Sequence, residues 1–103
     1  MYRKLLIVAA LCLLPLAGAN GAPAAGLGQL CGGIAGIKCA KGLWCQFYTG
    51  QCRIPDAGGT CVKAPKICPR IFLPVCGCDG KTYPNDCERQ AHKVSKLHNG
   101  KCW

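Results

Sequence analysis

The sequence predicts a small disulfide-rich protein: a mostly loop-and-hairpin cysteine module followed by an α+β module with one short helix and a small antiparallel sheet. Three observations carry this. Met1–Lys4 holds two positive charges, Leu5–Leu14 is an apolar run of ten residues, and Ala17-Gly18-Ala19 is a small-residue exit. That is the pattern of a secretory signal peptide over residues 1–19, and the run is too short for a membrane anchor, which needs roughly 20 apolar residues. Its removal takes Cys12 away and leaves ten cysteines in 84 residues. An even count in an exported chain reads as five bridges. Finally, the cysteines fall as four (Cys31, Cys39, Cys45, Cys52) and six (Cys61 to Cys102) on either side of Arg53–Thr60, whose Pro, Asp and paired glycines read as a turn or linker.

The division that follows is signal peptide 1–19, a Gly/Ala/Pro-rich arm over 20–30, a four-cysteine module over 31–52, a linker over 53–60 and a second module over 61–102. A chain this short buries too little apolar surface to offset its conformational entropy, so cross-links must restrict the unfolded chain instead. Within the second module, Asp79-Gly80 is a turn pair between short flanks and predicts a hairpin over Gly77–Tyr83. Asp86–Ser95 holds good helix formers without Pro or Gly, and Asn85 or Asp86 suits its N-cap.

Composition excludes several functions. With residues 1–19 removed the charge is about +7, from eleven basic and four acidic residues. Such a surface favours acidic partners, an acidic polysaccharide or a negatively charged enzyme. The bases are scattered and no nucleic-acid-binding motif is present, so no nucleic-acid partner is expected. An amphipathic stripe of the kind a membrane-active cationic peptide uses is also missing. Ser95 is the only serine, and His92 and His98 lie in or near one short segment, so no Ser-His-Asp set can be drawn and the protein is not expected to be an enzyme. Cys76-x-Cys78 with the two histidines lacks paired C-x-x-C knuckles, and export favours bridges over thiolates, so no metal or cofactor is expected.

The stretch Cys68–Cys87, CPRIFLPVCGCDGKTYPNDC, strongly resembles the Kazal-type serine protease inhibitors. The likeness rests on Cys68 and seven residues, then Pro74-Val75-Cys76-Gly77, Asp79-Gly80-Lys81-Thr82-Tyr83 and Asn85-x-Cys87, with Val94-Ser95 and Gly100-x-Cys102 behind. It implies a Kazal-like α+β module presenting Pro69, Arg70, Ile71, Phe72 and Leu73 to a protease as a substrate-like loop. The specificity position, two after the first loop cysteine, is Arg70, and the scissile bond is Arg70–Ile71. An Arg there suits the Asp-floored pocket of trypsin-like enzymes. Loop support is implied for Asn85, reaching the carbonyls beside that bond, and for Tyr83 at the base, while Pro74 stiffens the loop by its fixed φ.

The family's usual fifth cysteine, about three residues past the one matching Cys87, is absent, and Cys78 stands where a Ser or Thr is usual. The resemblance implies Cys68–Cys87 and Cys76–Cys102. Cys61–Cys78 completes the set, with a mixed bridge to the first module kept open because connectivity is not readable from spacing.

The first module, through Cys39 to Cys45 with Gly42-Leu43 and through Gly50-x-Cys52, resembles the second half of the N-terminal domain of insulin-like-growth-factor-binding proteins. That implies Cys31–Cys45 and Cys39–Cys52. Hormone binding is not implied, since that family's contacts draw on a longer loop than the six residues between Cys45 and Cys52. One or two of Leu43, Trp44, Phe47 and Tyr48 are expected to pack over the bridges as a miniature core, against the alternative that the four form a small binding patch. The expectation is a secreted, monomeric inhibitor of a trypsin-like serine protease; the rival is a non-inhibitory extracellular module that binds a growth factor or matrix polysaccharide.

Overall fold

The computed structural model describes residues 23–103, so the predicted signal peptide and the first residues of the arm lie outside the described residues. Two three-stranded antiparallel sheets and one helix are formed by the described residues. Strands β1 (Leu30–Gly32), β2 (Trp44–Phe47) and β3 (Gly58–Val62) form the first sheet in the order β1-β3-β2. Strands β4 (Val75–Gly77), β5 (Thr82–Tyr83) and β6 (Lys96–Asn99) form the second in the order β5-β4-β6, with helix α1 (Asp86–Ala91) between β5 and β6. Small disulfide-rich and α+β is therefore the observed class. No helix among the described residues is long and apolar enough to cross a membrane.

The expected linker is where the structure departs most from the reading of the sequence. Residues 58–62 are the central strand of the first sheet, with Leu30 opposite Thr60 on one side and Cys45 opposite Cys61 on the other. The boundary drawn between residues 60 and 61 falls inside this strand. Gly58-Gly59 looked like a turn, but Gly59 serves a close approach instead: a Cβ there would lie 2.7 Å from the carbonyl carbon of Gln46 and 2.9 Å from Phe47 Cα. Glycine inside a strand marks such crowding.

Two bridges are corrected with it. Cys31–Cys45, Cys68–Cys87 and Cys76–Cys102 form as written above, but Cys39 pairs with Cys61, not Cys52, and Cys52 pairs with Cys78, not Cys61. The register explains the exchange. β3 carries Cys61 into the core of the first sheet, fully buried beside Ala25 and Cys31, with Cys39, Leu43 and Cys45 packed round it. Cys52 instead lies past the end of β2, where the chain has reached the second sheet: the Gly50 amide donates to the Lys96 carbonyl at 2.9 Å, and the Cys78 amide donates to the carbonyl of neighbouring Ser95 at 2.8 Å. The open alternative of a bridge between modules is thus the one formed.

Trp44 is buried and Leu43 joins the bridge cluster, while Phe47 is half-buried and Tyr48 is exposed. In the second sheet, Gly77 permits the hairpin to close, since a Cβ would meet Asp79 Oδ1 at 2.6 Å, Val94 Cγ1 at 2.8 Å and Tyr83 Cε2 at 2.9 Å. The predicted helix to Ser95 overshoots. α1 ends at Ala91 and Lys93 takes a left-handed φ of 58°, which turns the chain so that Lys96–Asn99 can pair with β4. Ser95 Oγ then accepts from the Phe47 amide at 2.9 Å, a contact to the other sheet that ends helical geometry early.

Candidate functional site

Between Cys68 and Cys76 the chain has no regular structure until Val75, yet it is held at several points. Cys68 is bridged to Cys87 on α1, and Cys76 on β4 is bridged to Cys102. Two backbone bonds fix the second half: the Leu73 amide donates to the Pro84 carbonyl at 2.7 Å, and the Pro74 carbonyl accepts from the Gly100 amide at 2.8 Å.

The first half is held by one side chain. Asn85 Nδ2 donates to the Pro69 carbonyl at 3.3 Å and to the Ile71 carbonyl at 2.8 Å, the two carbonyls on either side of Arg70. Its Oδ1 accepts from the Glu88 amide at 2.8 Å, which makes it the N-cap of α1. The side chain is 7% exposed, so these bonds are shielded from competing water. Asparagine is suited to this task because it offers an acceptor to the helix and two donors to the loop.

Tyr83 anchors the floor. Its hydroxyl donates to Asp79 Oδ2 at 2.6 Å, and its ring lies 5.3 Å from that of His92. Burial and then the Asp79 contact push the Tyr83 phenol up to about 12. Partial burial pushes the Asp79 carboxyl up, but bonds from Tyr83 and from the Lys81 amide outweigh it and hold the group below its usual value. The phenol of Tyr83 and the carboxylate of Asp79 are thereby locked as donor and acceptor.

Above this floor the loop turns its side chains outward. Pro69 and Arg70 are exposed, and Ile71, Phe72 and Leu73 are 56%, 71% and 70% exposed. Among the described residues no acidic group forms an ion pair with Arg70. Three large apolar groups and a cation held out to solvent on a backbone fixed from below suit insertion into a partner's cleft rather than packing within the chain. Ile67, 90% exposed immediately before Cys68, extends this surface. Sequence reasoning overlooked it because it lies outside the loop proper; its signal was an isolated large apolar residue between Lys66 and a cysteine. Pro84 was overlooked too, and no side-chain signal marks it, since its backbone carbonyl does the work.

All ten described cysteines are bridged. The grouped sulfurs of Cys31, Cys39 and Cys61 are therefore parts of two neighbouring disulfides, and Cys76 and Cys78 offer no thiolate to a metal.

Comparison with known proteins gives one family. The model of the Kazal-type serine protease inhibitor domain matches residues 45–102, more than half of the chain. "Trypsin inhibitor ClTI-1" of Gallus gallus is 75% identical over 36 residues, covering 33% of this chain and 60% of that protein. "Probable pancreatic secretory proteinase inhibitor" of Anguilla anguilla is 49% identical over 53 residues, 48% of this chain and 84% of that protein. "Ovoinhibitor" of Gallus gallus is 38% identical over 73 residues, 55% of this chain but 14% of that protein, so the chain spans only a small part of this relative.

Proposed function

Because the chain belongs to the Kazal-type serine protease inhibitor family, we propose that it is a secreted inhibitor of trypsin-like serine proteases and that it offers them the Arg70–Ile71 bond. The observation that carries this reading is the pair of bonds from Asn85 to the carbonyls of Pro69 and Ile71. A substrate peptide must be ordered when it binds; a loop already fixed in shape avoids most of that loss, so affinity rises. When the bond is attacked, the new ends stay near each other. Cys68–Cys87, Cys76–Cys102 and Asn85 hold them, and the amine freed at Ile71 remains in place to re-form the peptide bond rather than leaving.

Arginine at the primary position decides the enzyme class. Its planar guanidinium makes paired, charge-assisted bonds to a carboxylate at the floor of a deep pocket. The avian relative named a trypsin inhibitor, 75% identical over 36 residues, supports the same specificity. The leader over residues 1–19 and five bridges support export. The basic surface supports a secondary affinity for acidic polysaccharide, and the protein acts as a monomer in this reading.

Titration of trypsin with the oxidised chain spanning Asn20–Trp103, following hydrolysis of a small arginine substrate, is the direct test. Stoichiometric loss of activity with sub-micromolar affinity is expected. Arg70→Leu should shift preference toward proteases with apolar pockets, and Arg70→Asp should abolish trypsin binding. Unchanged inhibition by either variant overturns the assignment of Arg70. Release of a chain cleaved after Arg70 would instead place the loop in a binding module without inhibitory function.

A further inference from the structure

This inference rests on the inhibitory reading of the Cys68–Cys76 loop and concerns what keeps Asn85 in place. Asn85 can hold the carbonyls beside Arg70 only if α1, whose first turn it caps, is itself fixed. A helix of six residues is not stable alone. Its one bridge, Cys87–Cys68, runs to the start of the loop, so it ties helix and loop to each other and neither to the body. The family's usual fifth cysteine would supply the missing tie about three residues past Cys87, where this chain has Gln90.

A buried cation supplies it instead. Arg89, next to that position, is 3% exposed. Its Nε and Nη2 donate to Asp86 Oδ1 at 3.1 and 3.0 Å, its Nη1 donates to the Val94 carbonyl, and Nη1 also donates to Gln46 Oε1 at 3.1 Å. Asp86 and Val94 are on the helix and the turn that follows it. Gln46 is on β2, in the first sheet, 43 residues away. Burying a guanidinium is costly unless its donors are paired, so the geometry that satisfies it is strongly preferred over neighbouring ones. A second tie, Lys96 Nζ to Asp86 Oδ2 at 3.2 Å, reaches a carboxylate that is half open to solvent and is correspondingly weak.

We propose that Gln46 is a positioning residue for the inhibitory loop: by accepting from the buried Arg89 it fixes α1 and thereby the Asn85 side chain beneath Arg70. The first sheet then acts in inhibition without touching the protease, in place of the missing bridge.

Gln46→Met keeps the length and removes the acceptor, whereas Gln46→Glu keeps an acceptor for Arg89. Both variants are expected to fold, since all five bridges remain. Three quantities are read well below the melting temperature: affinity for trypsin, the rate of Arg70–Ile71 cleavage in the complex, and solvent exchange of the Asn85 side-chain amide by NMR without protease. Gln46→Met should weaken binding about tenfold, the scale of a lost hydrogen bond to a charged group, and speed both cleavage and amide exchange. Gln46→Glu should stay within about threefold of the unsubstituted chain on the same argument. If Gln46→Met melts earlier but binds, is cleaved and exchanges unchanged, Gln46 is merely structural and the proposal fails. Absence of trypsin inhibition by the unsubstituted chain would fail the functional reading alone, because the amide exchange still decides whether Gln46 positions Asn85.

Discussion

Asn85 serves two structures with one amide, and its two ends can be separated by substitution. The oxygen caps α1 and the nitrogen holds the loop. Asn85→Asp keeps an acceptor for the Glu88 amide but has no donor for Pro69 or Ile71. We expect it to weaken trypsin inhibition by about 10- to 100-fold, as two bonds are lost in a shielded site, with little change in melting temperature. Asn85→Ala should lose the cap as well, at about 1 kcal/mol of stability. Parallel inhibition assays and thermal melts check both. Equal losses of stability in the two variants would mean that the loop bonds, not the cap, support the fold.

At the scale of elements, helix and hairpin are each closed by an ionisable contact, and acid should loosen both whereas alkali should loosen the hairpin alone. Partial burial raises the Asp86 carboxyl, but the bonds from Arg89 and Lys96 outweigh it and hold the group below its usual value. Asp79 behaves in the same way within the hairpin. A depressed carboxyl contributes stability above its unfolded value of about 3.9 and loses it as pH falls through the folded value. Denaturant melts should therefore be flat near neutrality and decline below about pH 4. Tyr83 runs the other way. Its phenol is raised to about 12, so its contribution is complete below the unfolded value of about 10 and is lost as pH rises through 12. Phenolate absorbance should show one step near pH 12. A Tyr83 midpoint near pH 10 instead would show that the Tyr83–Asp79 contact is not kept in solution.

Over the whole molecule, the two cysteine groups form one body rather than two modules on a tether. Cys52–Cys78, the Arg89–Gln46 bond, the Phe47–Ser95 bond and the Gly50–Lys96 bond all cross between the sheets. Cys52–Cys78 closes a separation of 26 residues. Replacing both cysteines by serine should remove about 2–4 kcal/mol on the chain-entropy estimate, read as a lower guanidinium midpoint. Peptide mapping of the unsubstituted chain should recover Cys52 linked to Cys78; a Cys39–Cys52 peptide would refute the topology. The family match beginning at residue 45, inside the first cysteine group, agrees with a body that is not divided at residue 60.

What the sequence by itself determined was whatever is encoded by neighbours along the chain. The loop between Cys68 and Cys76, the Asp79-Gly80 turn and the onset of α1 depend on local residue types and short spacings and were legible, while the cap was narrowed to Asn85 or Asp86 and the structure places it at Asn85. The tertiary structure alone decided the partners of Cys39, Cys52, Cys61 and Cys78, because pairing follows which strands meet, and β3 was hidden behind two glycines that resemble a turn. It also decided where α1 ends, since the residues to Ser95 favour a helix locally but Ser95 is claimed by the Phe47 amide in the other sheet. Gln46 is the extreme case. Nothing near it in the chain signals a role, which comes from a buried guanidinium 43 residues away, and contacts of that range leave no local pattern to read.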